Sequence, residues 1–136
     1  MRQVRLTNRN LTSLIRRNRG ASKMELKKKA FTFIRDHSIQ HALDLVLPRS
    51  FPNHEKISET FKEFLKANNM RWQGMLSRGG LTQETRAART QWARAADEYL
   101  AELKALLGSN KNYVAFMKGY WDEFAKLAAH FDSELR

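Results

Sequence analysis

Helix-breaking residues are rare in this chain and stand at a few well-separated places. The 136 residues include only two prolines and six glycines. Most of these breakers group at Gly20, Pro48, Pro52, Gly79-Gly80 and Gly108, and between the groups apolar residues recur every three or four positions. This spacing is typical of amphipathic helices, so the sequence predicts a single all-α domain that covers residues 1–136.

Five helices are predicted between the breaks. Their ranges are about 8–19, extending back to residue 2 on the helical wheel, then 22–47, 54–77, 83–107 and 111–135. Ser22 and Glu25 form a capping box at the second start, and Thr82 is the predicted N-cap of the fourth helix. The short connection at Gly108 predicts that the last two helices lie antiparallel. The sequence therefore predicts an antiparallel bundle of about four long helices in residues 22–136, preceded by a basic N-terminal arm, 1–21, with a short helix.

Two of the predicted helices have unusual apolar faces. In the second helix the apolar positions change sides near Asp36–Ser38, which predicts either burial on several sides or a break there. The fifth helix has a wide aromatic stripe, for which we expect a place in the core and also a contact with protein partners or a second copy of the chain. The stripe consists of Tyr113, Phe116, Met117, Tyr120, Trp121, Phe124, Leu127, Ala128 and Phe131.

Positive charge is concentrated at the start of the chain. Residues 1–35 contain eleven Lys and Arg and one acid, Glu25, and so carry +10 of the total net charge of +11. This segregation is what polyanion binding requires, because cations that neutralise phosphates release counterions without reading sequence. We therefore expect a non-enzymatic protein that binds the phosphate backbone of DNA or RNA. The predicted contact residues are Arg2, Arg5, Arg9, Arg16, Arg17, Arg19, Lys23, Lys27, Lys28 and Lys29.

Three residues with metal-ligand chemistry share one face of the second helix. His37, His41 and Asp44 follow the spacing i, i+4, i+7. Ligands one turn apart on a straight helix seldom close around an ion unless a second helix contributes, so the sequence predicts no metal site and no cofactor. The chain also lacks a glycine-rich phosphate loop, a nucleophile elbow and an H-E-x-x-H motif.

The segment from Arg35 to His41 suggests an enzyme as an alternative. Its order of Arg, Asp, four residues and His resembles the R-(N/D/H)-x4-6-H signature of the HEPN ribonucleases, which are small all-α bundles. The resemblance implies that Arg35 binds phosphate and that His41 acts in acid–base cleavage of RNA through the 2′-OH.

The fifth helix has a pattern of polar, basic and aromatic residues, which consists of Asn110, Lys111, Phe116, Lys118, Gly119, Tyr120, Glu123 and Ala125. This pattern resembles the last helix of the small helical subunits of CRISPR effector complexes, which are basic α-bundles that line a nucleic-acid path. The resemblance implies a small subunit of a larger nucleoprotein complex.

The basic front end also permits a third function, that of an adaptor. It would bind an acidic protein or an anionic membrane surface, with Leu11, Leu14 and Ile15 inserted into the partner or the headgroup region. No apolar run approaches 18 residues, so no transmembrane segment is predicted. The lack of Cys fits a reducing compartment, and we expect the cytoplasm. The Arg-rich, acid-poor start is also typical of organellar targeting, which is the alternative location.

Overall fold

The protein folds as a bundle of α-helices. The computed structural model describes residues 2–48, 53–67, 80–83, 85–86 and 97–135, and within these ranges it contains no strand. The side chains of residues 2–7, 67 and 97 lie outside the described set. The predicted all-α fold class is confirmed. The helices are α1 (Arg2–Arg17), α2 (Lys23–Val46), α3 (His54–Ala67), α4 (Asp97–Leu107) and α5 (Asn110–Glu134), and residues 81–83 and 85–86 are also helical.

The boundaries of α1 and α2 follow from local hydrogen bonds. The hydroxyl of Ser22 accepts a hydrogen bond from the backbone N–H of Glu25 at 3.2 Å, so the predicted cap of α2 is confirmed. α2 ends at Val46, because Leu47 takes an extended conformation directly before Pro48. The first helix does extend back to residue 2, as its wheel indicates.

α2 is continuous through Asp36, so the predicted break is absent and the alternative of burial on several sides is confirmed. α2 packs along α5 and also contacts α1 and α3. It runs antiparallel to α5: Phe31 contacts Phe124 with ring centroids 5.5 Å apart, while Leu45 lies beside Gly119. A Cβ on Gly119 would come within 3.1 Å of the Leu45 side chain, so a glycine allows this close approach.

The aromatic stripe of α5 forms the centre of the hydrophobic core. All nine of its residues are buried, as predicted. Phe61 of α3 packs edge-on against Phe116 and Tyr120, with ring centroids 5.1 and 4.5 Å away. Burial within the chain explains the width of the stripe, so these side chains do not support the predicted self-association through α5. Protein partners stay a prediction.

The helical turn that begins at Leu81 is capped by α5 and not by Thr82. The Asp132 carboxylate accepts hydrogen bonds from the N–H of Leu81 at 3.1 Å and from the N–H and hydroxyl of Thr82 at 3.1 and 2.7 Å. The prediction of Thr82 as N-cap is wrong, because this residue donates instead of accepting. A Cβ on Gly80 would lie 2.8 Å from Asp132 Cγ, so only glycine leaves room for the carboxylate.

The last two helices form the predicted antiparallel pair. Gly108 takes a positive φ of 88°, which ends α4, and the hydroxyl of Ser109 caps α5 by accepting from the N–H of Asn112 at 3.1 Å. Lys104 of α4 then lies 4.9 Å from the ring centroid of Tyr113 of α5. The predicted helical ranges 68–77 and 87–96 lie outside the described residues, as do Trp72, Met75, Leu76, Ala88 and Trp92.

Candidate nucleic-acid interface

One side of α1 is fixed to the bundle. Leu11 is fully buried, and Leu14 and Ile15 are partly buried against the core. The hydroxyl of Thr12 lies 3.0 Å from Nε2 of His130 on α5. These contacts hold α1 in place and leave its other sides to solvent.

The same contacts bear on the adaptor alternative. Leu11, Leu14 and Ile15 were the side chains expected to insert into a partner or headgroup region, and the structure corrects this expectation because they pack against the protein's own core. The large apolar side chains that are exposed in the described part are Leu45 and Val114, which lie on α2 and α5 well away from α1 in sequence. None of the described helices is long and apolar enough to span a bilayer.

The end of α1 and the start of α2 bring their basic residues together. The Lys29 ammonium donates to Asn18 Oδ1 at 2.7 Å, and the Asn18 amide donates to the Leu14 carbonyl at 2.7 Å. The second turn of α2 therefore lies beside the last turn of α1, which contains Arg16 and Arg17. We term the exposed basic residues of this region the α1–α2 basic surface. Its members are Arg9, Arg16, Arg17, Arg19, Lys23, Lys28 and Lys29.

Three predicted contact residues fall outside this definition. Lys27 is half-buried and has an interaction of its own within the chain. Arg2 and Arg5 belong to α1, but their side chains lie outside the described set.

Within the described part of the chain, no acid neutralises the charges of the α1–α2 basic surface. Among the described residues, none of its seven members forms an ion pair. Further along the chain, Asp36 does pair with cations, with Arg35 at 2.8 Å and with Lys62 at 3.8 Å. Relative to the described residues, the surface therefore presents unpaired positive charge, as phosphate binding requires.

The helix ends show which of these charges also serve the fold. The C-terminus of a helix carries a partial negative charge, so Arg16 and Arg17 in the last turn of α1 stabilise that helix. The N-terminus carries a partial positive charge, so Lys23 in the first turn of α2 opposes its helix, and Lys28 and Lys29 add repulsion nearby. Helix-end electrostatics therefore offers a reason for Arg16 and Arg17 but not for Lys23 and Lys28, while Lys29 also links the two helices through its hydrogen bond to Asn18.

This contrast predicts that Lys23→Gln stabilises the protein. We expect the free energy of unfolding to rise by about 0.5 kcal/mol at low salt, because an unfavourable charge leaves the first turn of α2. Urea unfolding at low and high salt measures the effect, which should disappear in about 1 M salt. Lys126→Gln, at an exposed position in the middle of α5, is the matched control and should change little. A loss of stability in Lys23→Gln would show that this lysine serves the fold.

Arg35 and His41 do not converge on one site. Arg35 is held by Asp36, and Nδ1 of His41 lies 3.8 Å from Oε2 of Glu123. Six residues on a continuous helix correspond to a rotation of roughly 240° and a rise of about 9 Å, so the two side chains leave α2 in different directions. The ribonuclease alternative, which needs both side chains at one phosphate, is therefore not supported by the geometry.

His37 and His41 instead share a buried carboxylate from α5. Oε2 of Glu123 lies 3.4 Å from Nε2 of His37 and 3.8 Å from Nδ1 of His41, and the Glu123 side chain is only 8% exposed. Asp44, the third residue of the sequence pattern, accepts a hydrogen bond from the Gln40 amide at 2.9 Å. Within the part of the chain that the structure describes, no group of three or more potential ligands could hold a metal ion.

The sequence did not predict that Glu123 approaches His37 and His41, because Glu123 lies far from both histidines in the chain. The available signal was an acid within an otherwise aromatic stripe, between Trp121 and Phe124. Close by, burial raises the pKa of the Tyr120 hydroxyl well above its usual value, with smaller opposing effects of Arg35, which lowers it, and Asp36, which raises it. The raised pKa favours the neutral form of Tyr120, which fits its place in the core.

A groove between α3 and α4 has the opposite charge character. Its volume is about 780 Å³, and four of its eight lining residues are acidic. The lining consists of Glu55, Glu59, Glu63, Glu102, Lys56, Lys62, Thr60 and Tyr99. Carboxylates repel phosphates, so this groove is not a candidate for backbone contacts. Together with the α1–α2 basic surface it gives the protein two regions of opposite charge.

Comparisons with known proteins add no family to this description. The chain was compared with models of protein families, with curated proteins and with solved structures, and none of the three comparisons found a match.

Proposed function

We propose that the protein binds nucleic acid through the phosphate backbone and performs no chemistry on it. The observation that carries this proposal is the α1–α2 basic surface, in which seven exposed cations, six on two adjoining helices and Arg19 in the turn between them, have no ion-pair partner among the described residues. Phosphate contacts of this kind release counterions and give affinity with little sequence choice. The acidic groove between α3 and α4 would repel a polyanion and is not part of the proposed contact.

A salt titration tests this proposal. If about six basic residues contact phosphates, the logarithm of the binding constant falls against the logarithm of the salt concentration with a slope near −5 on duplex DNA, or about −4 on single strands. Fluorescence anisotropy with labelled DNA of two unrelated sequences measures the slope. A slope near zero, or affinity for only one of the sequences, would contradict backbone binding.

Binding to an acidic protein or an anionic membrane is the second candidate, because the same charges would attract these partners. A membrane partner is less well supported, since the exposed apolar side chains Leu45 and Val114 are not part of the α1–α2 basic surface. Flotation with anionic vesicles, run beside the anisotropy assay, separates the two functions: binding to vesicles without binding to DNA would favour the adaptor.

A role as a small subunit of a larger nucleoprotein complex in the cytoplasm is a further part of the proposal. The similarity of α5 to CRISPR small-subunit helices adds little support, because Phe116, Tyr120 and Glu123 are buried within this protein and are explained by its own packing. Purification from the native source, with and without nuclease, tests the role. Proteins that co-purify only when the nucleic acid is intact would support it.

A further inference from the structure

The α1–α2 basic surface provides cations but no exposed aromatic rings. Proteins that bind single strands combine a basic groove with aromatic side chains on which the unpaired bases stack. In the described part of the chain, the exposed large apolar residues are Leu45 and Val114, neither of which is aromatic. The aromatic residues closest in sequence, Phe31 and Phe33, are partly buried against the core. The described surface is therefore suited to phosphates rather than to unpaired bases.

The cations lie on two neighbouring helices and so form a patch instead of a single line. On α1, Arg9 and Arg16 are seven residues apart, which puts them on one side of the helix about 10.5 Å from each other. On α2, Lys28 and Lys29 lie beside the end of α1, through the hydrogen bond from Lys29 to Asn18. Packed helix axes are typically about 8–10 Å apart, so the two sets of cations are separated across the patch by a comparable distance.

Such a patch matches the charge distribution of a duplex. Double-stranded DNA carries one phosphate charge per about 1.7 Å of its axis, while each single strand carries one per about 3.4 Å. A patch two helices wide can face the phosphates of both strands, whereas a single strand fills only one side of it.

The patch is also held in a fixed geometry. Leu11 is buried in the core, Thr12 contacts His130, and Lys29 is bonded to Asn18. A duplex is stiff over the length of the patch, so it can bind a fixed set of cations without losing conformational freedom. A flexible single strand loses conformational freedom when it follows the same set.

We propose that the α1–α2 basic surface is a binding site for double-stranded nucleic acid, with the cations of α1 and of α2 contacting the phosphates of different strands. This inference rests on the proposed function, since it specifies which nucleic acid the phosphate-binding surface prefers.

Competition binding tests the preference. The probes are a DNA duplex of about 20 base pairs, its two separated strands and an RNA duplex of the same sequence, at about 0.15 M salt. We expect at least about tenfold tighter binding of a duplex than of either strand. Equal or tighter binding of a strand would overturn the inference and leave phosphate binding intact. Failure of every probe to bind would overturn the proposed function itself. Comparison of the two duplexes distinguishes DNA from RNA as the source of the phosphates.

Two triple variants test the contact with both strands. The α1 variant combines Arg9→Gln, Arg16→Gln and Arg17→Gln. The α2 variant combines Lys23→Gln, Lys28→Gln and Lys29→Gln, and the glutamine at position 29 retains a donor for Asn18. Either variant should reduce the preference for the duplex to about twofold or less, because only one side of the patch remains. The control with Lys111→Gln, Lys118→Gln and Lys126→Gln, all exposed on α5, should keep the preference. A full duplex preference in either triple variant would overturn the two-strand contact.

Discussion

Replacing Arg16, Arg17, Lys28 and Lys29 together with Gln should weaken nucleic-acid binding about a thousandfold at roughly 0.15 M salt. Each phosphate contact contributes a factor of about five at this concentration, because the binding constant changes with roughly the 0.9 power of salt for every contact. The slope of the salt dependence should become smaller in magnitude by about 3.6. Anisotropy measurements on two unrelated DNA sequences should show the same loss on both, since the proposed contacts carry no sequence information.

A control for this variant uses exposed lysines elsewhere in the protein. Replacing Lys66, Lys111, Lys118 and Lys126 with Gln changes the net charge by the same amount, at positions on α3 and α5. Charges further than about 8 Å from the bound phosphates are largely screened at this salt, so the loss should be about threefold or less. If the control lost as much affinity as the first variant, attraction by total charge would explain the binding, and the α1–α2 basic surface would have no special role.

The largest expected effect on stability comes from Phe61→Ala. The Phe61 side chain is completely buried, stacks on Phe64 with ring centroids 5.7 Å apart, and meets Phe116 and Tyr120 edge-on. Its removal leaves a cavity where α3 packs on α5 and should lower the free energy of unfolding by about 4 kcal/mol. That is a large part of the total stability of a typical domain, about 5–15 kcal/mol. Urea unfolding followed by circular dichroism measures the change.

Two comparison variants make the result interpretable. Phe61→Leu keeps most of the apolar volume and should cost less than half as much as Phe61→Ala. Leu45→Ala removes an apolar side chain that is 63% exposed and should change stability by about 0.5 kcal/mol or less. A Phe61→Ala protein as stable as Leu45→Ala would show that the packing of α3 on α5 is not formed in solution.

Local signals in the sequence predict much of this fold. The Ser22–Glu25 cap, the stop before Pro48 and the turn at Gly108 depend on residues close together in the chain, and each is present in the structure. The aromatic stripe of α5 identifies the core because its periodicity is strong enough to fix one buried face. The capping of residues 81–82 was not predictable, because Asp132 lies about fifty residues away and local propensity has no information about such a partner.

In the candidate site, too, features set by neighbours in the chain were predictable and features set by distant residues were not. The basic residues near the α1–α2 connection are close neighbours in the chain, so the sequence alone predicts that they lie together. That no carboxylate of the described residues pairs with the exposed members depends on how distant helices pack, as does the partial burial of Lys27. For the Arg35–His41 motif, the spacing on a continuous helix already separates the two side chains by roughly 240°, whereas the approach of Glu123 to His41 depends on how α5 packs on α2.

The packing of α2 on α5 has a consequence for folding during synthesis on the ribosome. No other pair of described helices is in such extensive contact, yet the whole stretch between Val46 and Asn110 separates the two helices in the chain. Because synthesis proceeds from the N-terminus, α2 leaves the ribosome long before its partner exists. A nascent chain that ends before α5 therefore lacks the helix against which Phe31 and Ala42 pack, and during this interval that apolar face of α2 is accessible to chaperones.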